Sequence, residues 1–182
     1  MSNSSSIPPS DLAWEAKKER LLTILTEHES LLVAFSGGVD SSVLLHAAHA
    51  ALGARAIGII ADSPSLPRRE LKEAIALAES MGARLEIVRT SEGEDERYSA
   101  NSGDRCYWCK SHLFAAMRAR AELLGVSALA FGEITDDHRD DRPGARAAYE
   151  RRILAPLSCA GFSKEDVRSY AREVGLRVAE KP

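Results

Sequence analysis

The sequence predicts an α/β fold, a parallel sheet with helices on both faces, and three observations carry that prediction. Short apolar runs alternate with helix-patterned segments along the whole chain. Glycines follow the helical segments at Gly53, Gly82, Gly125 and Gly175, where helices stop. A glycine–serine turn, Ser36-Gly37-Gly38-Val39-Asp40-Ser41-Ser42, stands between the first apolar run and the helix after it.

The elements follow in order. Leu12, Trp14, Leu21, Leu22, Ile24 and Leu25 make a helical stripe over residues 10–28. Leu31 to Phe35 reads as a buried strand, and residues 40–52 as a helix closed by Gly53. Ala56 to Ala61 is a second strand, and a helix begins near Pro67, a good first-turn residue, and runs to Met81. Leu85 to Val88 is a third strand, residues 91–104 a polar loop, and residues 107–124 a helix. Ala128 to Phe131 is a fourth strand ending at Gly132. Glu133 to Gly144 is charged and contains Pro143, so it is expected to be a loop, with a fifth short strand at Ile153 to Leu157. Ser163 caps a last helix that carries Glu165 and Asp166 in its first turn.

Composition narrows the function. The chain has 182 residues, enough for one α/β domain, and is 45% hydrophobic and 28% charged. With 24 basic and 27 acidic side chains it has no global basic field, so nucleic acid is not an expected partner. No apolar run reaches the ~20 residues of a membrane span, and residues 1–10 are polar and proline-bearing, read as a disordered tail. A cytoplasmic location without a membrane partner is the expectation. Three cysteines, an odd number, argue against a disulfide framework.

The glycine–serine turn is placed to hold an anion. Unpaired N–H groups of a first helical turn point outward, and the helix dipole favours negative charge. Gly37 and Gly38 let the backbone approach closely, while Ser36, Ser41 and Ser42 add hydroxyl donors. Asp40 repels phosphate unless a cation bridges it, so it is the candidate Mg²⁺ ligand, or else it caps the helix. In a parallel sheet ligands bind beyond the carboxyl ends of the strands. Ala34 and Phe35 lead into the turn, Ala61 and Ser63 end the second strand, and Gly132 ends the fourth. These tips are expected on one rim, with phosphates at the first and adenine near the others.

Two further clusters stand out. Cys106 and Cys109, within Asp104-Arg105-Cys106-Tyr107-Trp108-Cys109-Lys110, fall on one helix face. Such a pair can bind zinc or part of an iron–sulfur cluster, cycle as a dithiol, or simply pack half-buried; Cys159 is a third thiol, and no second Cys-x-x-Cys completes a site. Arg105 is the stronger functional candidate there. In the charged stretch after the fourth strand, Arg142 can clamp a phosphate or carboxylate bidentately.

The string SGGVDSS resembles the pyrophosphate-binding loop of the PP-loop ATP pyrophosphatases. Together with DRCYWCK, GEITDD, DRPG, Leu154-Ala155-Pro156-Leu157 and Ser163-Lys164-Glu165-Asp166-Val167-Arg168, it resembles the LarE family of ATP-dependent sacrificial sulfur transferases. The likeness runs in order from Leu12 to the last residue. It implies an adenine nucleotide alpha-hydrolase-like, Rossmann-like three-layer sandwich over residues 11–182, with ATP and Mg²⁺ as cofactors and ATP/AMP and a pyridinium mononucleotide as partners. It further implies adenylation of a carboxylate of that dicarboxylate mononucleotide, with AMP and pyrophosphate released, on the route to the nickel-pincer nucleotide. Asp40, Arg105 and Arg142 would serve the chemistry. In the family a Lys-Pro pair leads into the sulfur-donating, C-terminal half, so the ending Lys181-Pro182 predicts a nucleotide-binding part without that half. Homo-oligomerisation stays open. The competing expectations are another PP-loop adenylating enzyme, acting in tRNA thiolation or amide synthesis, and a non-catalytic nucleotide-binding module.

Overall fold

A computed structural model describes residues 9–64, 66–90, 105–139 and 143–180. The elements are α1 (Pro9–Thr26), β1 (Leu31–Ala34), α2 (Val39–Leu52), β2 (Ala56–Asp62), α3 (Arg68–Ser80), β3 (Arg84–Arg89), α4 (Arg105–Leu124), β4 (Ala128–Ala130), α5 (Pro143–Glu150), α6 (Pro156–Cys159) and α7 (Lys164–Glu173). The four strands form one sheet in the order β3-β2-β1-β4, and every pairing is parallel. The predicted α/β class holds.

Alternation along the central strands builds the two cores. Leu31, Val33 and Phe35 face α1, α2, α3 and α7, packing with Leu21, Leu44, Leu77 and Val167. Leu32 and Ala34 face the other way, with Ile57, Ile59 and Phe131, against Phe114 and Met117 of α4 and Ala147 of α5. Period-two side-chain direction makes this division automatic. All four β1 residues are buried, as expected of a strand covered on both faces. The edge strand β3 is different: Arg84 and Arg120 both pair with Glu86, and charge protects the edge from further pairing.

Two expectations are corrected. Residues 153–157 do not form a fifth strand. Leu154 makes one parallel bridge to Ala130, then Pro156 opens the short helix α6. Proline lacks the N–H a ladder needs but suits a helical first turn. The charged loop is also more ordered than expected, with a 3₁₀ turn at Thr135–Arg139 and α5 starting at Pro143. The tail expected over residues 1–10 falls largely outside the described residues, and α1 begins at Pro9. Among the described residues no helix is long and apolar enough to cross a membrane.

Candidate functional site

The strand order reverses between β1 and β4, and the loops leaving their carboxyl ends part there. The β1–α2 loop occupies this point. Gly37 has φ +76°, a conformation that favours glycine, and a Cβ on it would lie 3.0 Å from Cβ of Ala74. Gly132 has the tighter constraint. A Cβ there would fall 2.9 Å from the Ser41 nitrogen and 3.0 Å from the Asp40 carbonyl carbon, so β4 touches the first turn of α2 through a residue with no side chain.

The loop is held by its own serines. The Ser36 N–H donates to Ser41 Oγ at 3.1 Å, and the Gly38 N–H donates to Ser36 Oγ at 3.3 Å. Ser42 Oγ donates to the Gly38 carbonyl at 2.7 Å, and Ser42 is fully buried. Ser41 and Ser42 therefore shape the loop; Ser41 also lines the cleft, whereas Ser42 turns its hydroxyl inward to the Gly38 carbonyl. Gly38, the N-cap of α2, supplies no side-chain cap, so the outward N–H groups of that turn meet the cleft.

Asp40 is in the first turn of α2 and accepts two hydrogen bonds from Lys164 Nζ, at 3.0 and 2.9 Å. Lys164 is placed there by several ties. Its backbone N–H donates to Asp136 Oδ2 at 2.6 Å, and Ser163 and Asp166 form a reciprocal capping box at the start of α7. The 3₁₀ turn is tied to the same corner, since Thr135 donates through N and Oγ1 to the Phe162 carbonyl. Burial alone would raise the Asp166 pKa, but Lys17 and the Ser163 donors outweigh it and hold the carboxyl below its ordinary value.

Besides a cavity of about 560 Å³ on the α3 side, lined by Ser36, Gly37, Gly38, Arg69, Glu70 and Ala74, three further cavities adjoin the loop. One of about 220 Å³ runs along Ala34, Phe35, Ser36, Gly38, Asp40 and Ser41 to Gly132. A second, about 290 Å³, lies on the β2 side between Phe35, Ser36, Ala61, Ser63, Leu66 and Thr90. Thr90 Oγ1 is buried there with no hydrogen-bond partner among the described residues, an unmet polar group in a slot that Ser63, Glu70 and Lys110 also line. A third, about 500 Å³, opens between α4, α5 and the 3₁₀ turn, lined by Cys106, Cys109, Phe131, Glu133 and Asp137. Lys110 is the one described residue that lines all three. Burial pushes its pKa down, against the pull of Cys109, Cys106, Asp137 and Glu133. Its Nζ stands 6.0 and 5.9 Å from the ring centroids of Phe114 and Phe131.

Of the residues expected at the site, Ala34, Phe35, Ser36, Gly38, Asp40, Ser41 and Gly132 line one cavity, Ala61 and Ser63 border the slot on the β2 side, Gly37 lines the cavity on the α3 side, and Ser42 is fully buried beneath the loop. Gly132 lies across the loop from the slot that holds Ala61 and Ser63, so the second and fourth tips border different cavities. Cys106 and Cys109 are exposed, not half-buried, and Cys159 is exposed at the end of α6. Among the described residues no group of three or more His, Cys, Asp or Glu side chains could hold a metal. Arg105 opens α4, and Arg142 lies outside the described residues. Sequence reasoning missed Lys164 and Thr90 and named Lys110 only as a neighbour of the thiols. Lys164 lies 124 residues from Asp40, so no local pattern joins them.

The comparisons with known proteins fit this geometry. A family model described as NAD synthase matches residues 19–121. The chain is 40% identical over 168 residues to the uncharacterized protein slr1717 of Synechocystis, covering 92% of this chain and 63% of that protein. It is 33% identical over 161 residues to the pyridinium-3,5-bisthiocarboxylic acid mononucleotide synthase of Lactiplantibacillus plantarum, covering 88% and 58%. The chain thus spans about three fifths of the length of these curated relatives. Among solved structures, the NH3-dependent NAD synthetase of Campylobacter jejuni superposes with a TM-score of 0.73 at 12% identity, covering 92% of this chain and 77% of that one. The glutamine-dependent NAD+ synthetase of Acinetobacter baumannii, in complex with ADP, gives 0.75 at 13%, covering 100% and 38%. At such identities these structures show the fold, and the expected adenine nucleotide alpha-hydrolase-like sandwich is borne out. With the loop at the switch point, the matched family and the named relative all in agreement, this chain belongs to the NAD synthase family of PP-loop proteins and is similar, within it, to LarE.

Proposed function

We propose that this chain binds ATP with Mg²⁺ in the β1–α2 loop and adenylates a carboxylate of a pyridinium dicarboxylate mononucleotide. That step would activate the acceptor for ATP-dependent sulfur transfer in nickel-pincer nucleotide synthesis, in the cytoplasm. One observation carries the reading: the first turn of α2 has no side-chain cap and borders the switch-point cleft through Gly38, Asp40 and Ser41. Such a turn suits the phosphates of a nucleotide. The orphaned Thr90 hydroxyl gives the slot on the β2 side an unmet polar group for the nucleoside. Similarity to the Lactiplantibacillus synthase supports the choice of acceptor.

The residues fit the cofactors. Asp40 is the carboxylate of the loop and would hold Mg²⁺, which supplies charge neutralisation on the departing pyrophosphate. Lys164, now engaged with Asp40, would turn its ammonium to phosphate oxygens. A carboxylate oxygen of the acceptor forms a bond to the α-phosphorus as the bond to the bridging oxygen breaks, and pyrophosphate leaves with the electron pair. The loop N–H groups stabilise the charge that develops. Arg105 and Arg142 remain proposed contributors on the acceptor side.

Chromatography of the nucleotide products tests this. With ATP, Mg²⁺ and the dicarboxylate mononucleotide, AMP and pyrophosphate are expected. ADP and phosphate, or no consumption of ATP, would overturn it. AMP formed only with an ammonia donor and a different acid would instead assign amide synthesis.

A further inference from the structure

We infer that Asp136 is a positioning residue for nucleotide binding: it fixes the backbone from which Lys164 reaches the β1–α2 loop, and the segment 132–136 sets the spacing between Lys164 and Asp40. This deepens the reading above and rests on it.

Lys164 is the first residue of α7, so its N–H has no acceptor within the helix. The helix's own cap does not serve it. Ser163 and Asp166 satisfy each other: the Ser163 N–H and Oγ donate to Asp166 Oδ2 at 2.9 and 2.8 Å, and the Asp166 N–H donates to Ser163 Oγ at 3.3 Å. The Lys164 N–H goes instead to Asp136 Oδ2 at 2.6 Å, 28 residues back in the chain. A carboxylate at a helix N-terminus makes a strong, charge-assisted bond. With its capping box complete, α7 needs no second carboxylate in order to start. The one that the 3₁₀ turn supplies fixes where it starts.

The same segment touches the other member of the ion pair. At Gly132 a Cβ would fall 3.0 Å from the Asp40 carbonyl carbon, so the segment lies directly on the first turn of α2. Ile134 is buried in the core that also holds Val39 and Phe162. Thr135 donates through N and Oγ1 to the Phe162 carbonyl, at 2.9 and 3.0 Å. One short stretch therefore runs from the backbone of Asp40 to the backbone of Lys164 and is tied at both ends. A lysine carries its charge on a flexible four-carbon stem and loses rotamer freedom wherever it is held. Anchoring its backbone leaves only the side chain to move. The ammonium can then turn from Asp40 to a phosphate oxygen while α7 stays in place.

The test is calorimetry of α,β-methylene-ATP with Mg²⁺ on the full chain, run as a double-mutant cycle. Lys164→Met should weaken the nucleotide by about tenfold or more, the loss of a charge-assisted contact. Asp136→Ala should weaken it by about threefold to tenfold in the parent, and by less than about twofold in Lys164→Met, because Asp136 acts through the lysine. Asp136→Asn keeps an acceptor oxygen and should recover part of the loss. If Asp136→Ala does not fold, Asp136→Asn runs the same cycle, with a loss of about twofold to threefold in the parent and none in Lys164→Met. An equal loss in both backgrounds overturns the inference, reduces Asp136 to a helix cap and leaves ATP binding standing. So does a parent background in which neither Asp136 variant changes affinity. Unchanged affinity in Lys164→Met also overturns it, since the lysine then holds no phosphate. A parent that does not bind the nucleotide overturns both this inference and the proposed function.

Discussion

The two walls of the cleft are made differently. The β1–α2 wall is contiguous in sequence and works through backbone: two glycines, an uncapped helical turn, and serines that bond within the loop. The opposite wall is assembled from α4, the β4 tip, the 3₁₀ turn and α5, and works through side chains, Lys110, Glu133 and Asp137 foremost. A backbone cradle grips what all nucleoside triphosphates share. A side-chain wall can be retuned residue by residue. Lys164 belongs to neither, and reaches the cradle from α7.

Substitutions can break this comparison. The largest effect is expected at the seam. Gly132→Ala puts a methyl against the backbone of Ser41, which cannot yield as a flexible side chain would, so thermal or denaturant unfolding should report a loss of about 3 kcal/mol. A loss below about 0.5 kcal/mol would mean that β4 and α2 are not held together as described. Gly37→Ala comes next. The left-handed backbone and the contact with Ala74 should cost about 1–2 kcal/mol and also weaken ATP in calorimetry, because the cradle must distort. Retained ATP affinity with the stability loss would separate the cradle from nucleotide binding.

Asp166→Ala removes the capping box and should cost about 1 kcal/mol. The folded-state pKa of Asp166 is depressed, so its contribution is present above 3.8, the ordinary value, and lost as pH falls through that value toward the folded one. Melting curves of parent and variant should therefore converge in acid. The smallest change is at Lys110. Its folded pKa is lowered from 10.5, so the unfolded chain binds the proton more tightly and parent stability rises as pH climbs toward 10.5. Lys110→Met should melt slightly above the parent at neutral pH, with the gap closing in alkali. A variant that melts lower at neutral pH would show that the ammonium stabilises the fold.

The cradle was legible because all its parts lie within eight residues and their chemistry is local: glycines for close approach, a strand before, a helix after. The sheet class was legible for a similar reason, since each apolar run carries its own period. The opposite wall was not. Charge over Glu133 to Gly144 reads as a solvated loop, yet a 3₁₀ turn and the start of α5 lie within it, held by Phe162 and by packing of Ala147 and Ala148 on the sheet. Ile153 to Leu157 looks like a strand, but Pro156 ends the pairing after one bridge. The ion pair of Asp40 with Lys164 depends on α7 folding back beside α2, a tertiary event that leaves no mark on either segment.

The most direct test of the account is a structure of the protein with α,β-methylene-ATP and Mg²⁺. The account predicts triphosphate oxygens against Ser36, Gly37, Gly38 and the first turn of α2, the nucleoside in the slot beside Thr90, and Lys164 moved from Asp40 to phosphate. A nucleotide bound elsewhere, with the Asp40–Lys164 pair intact and the loop empty, would contradict it.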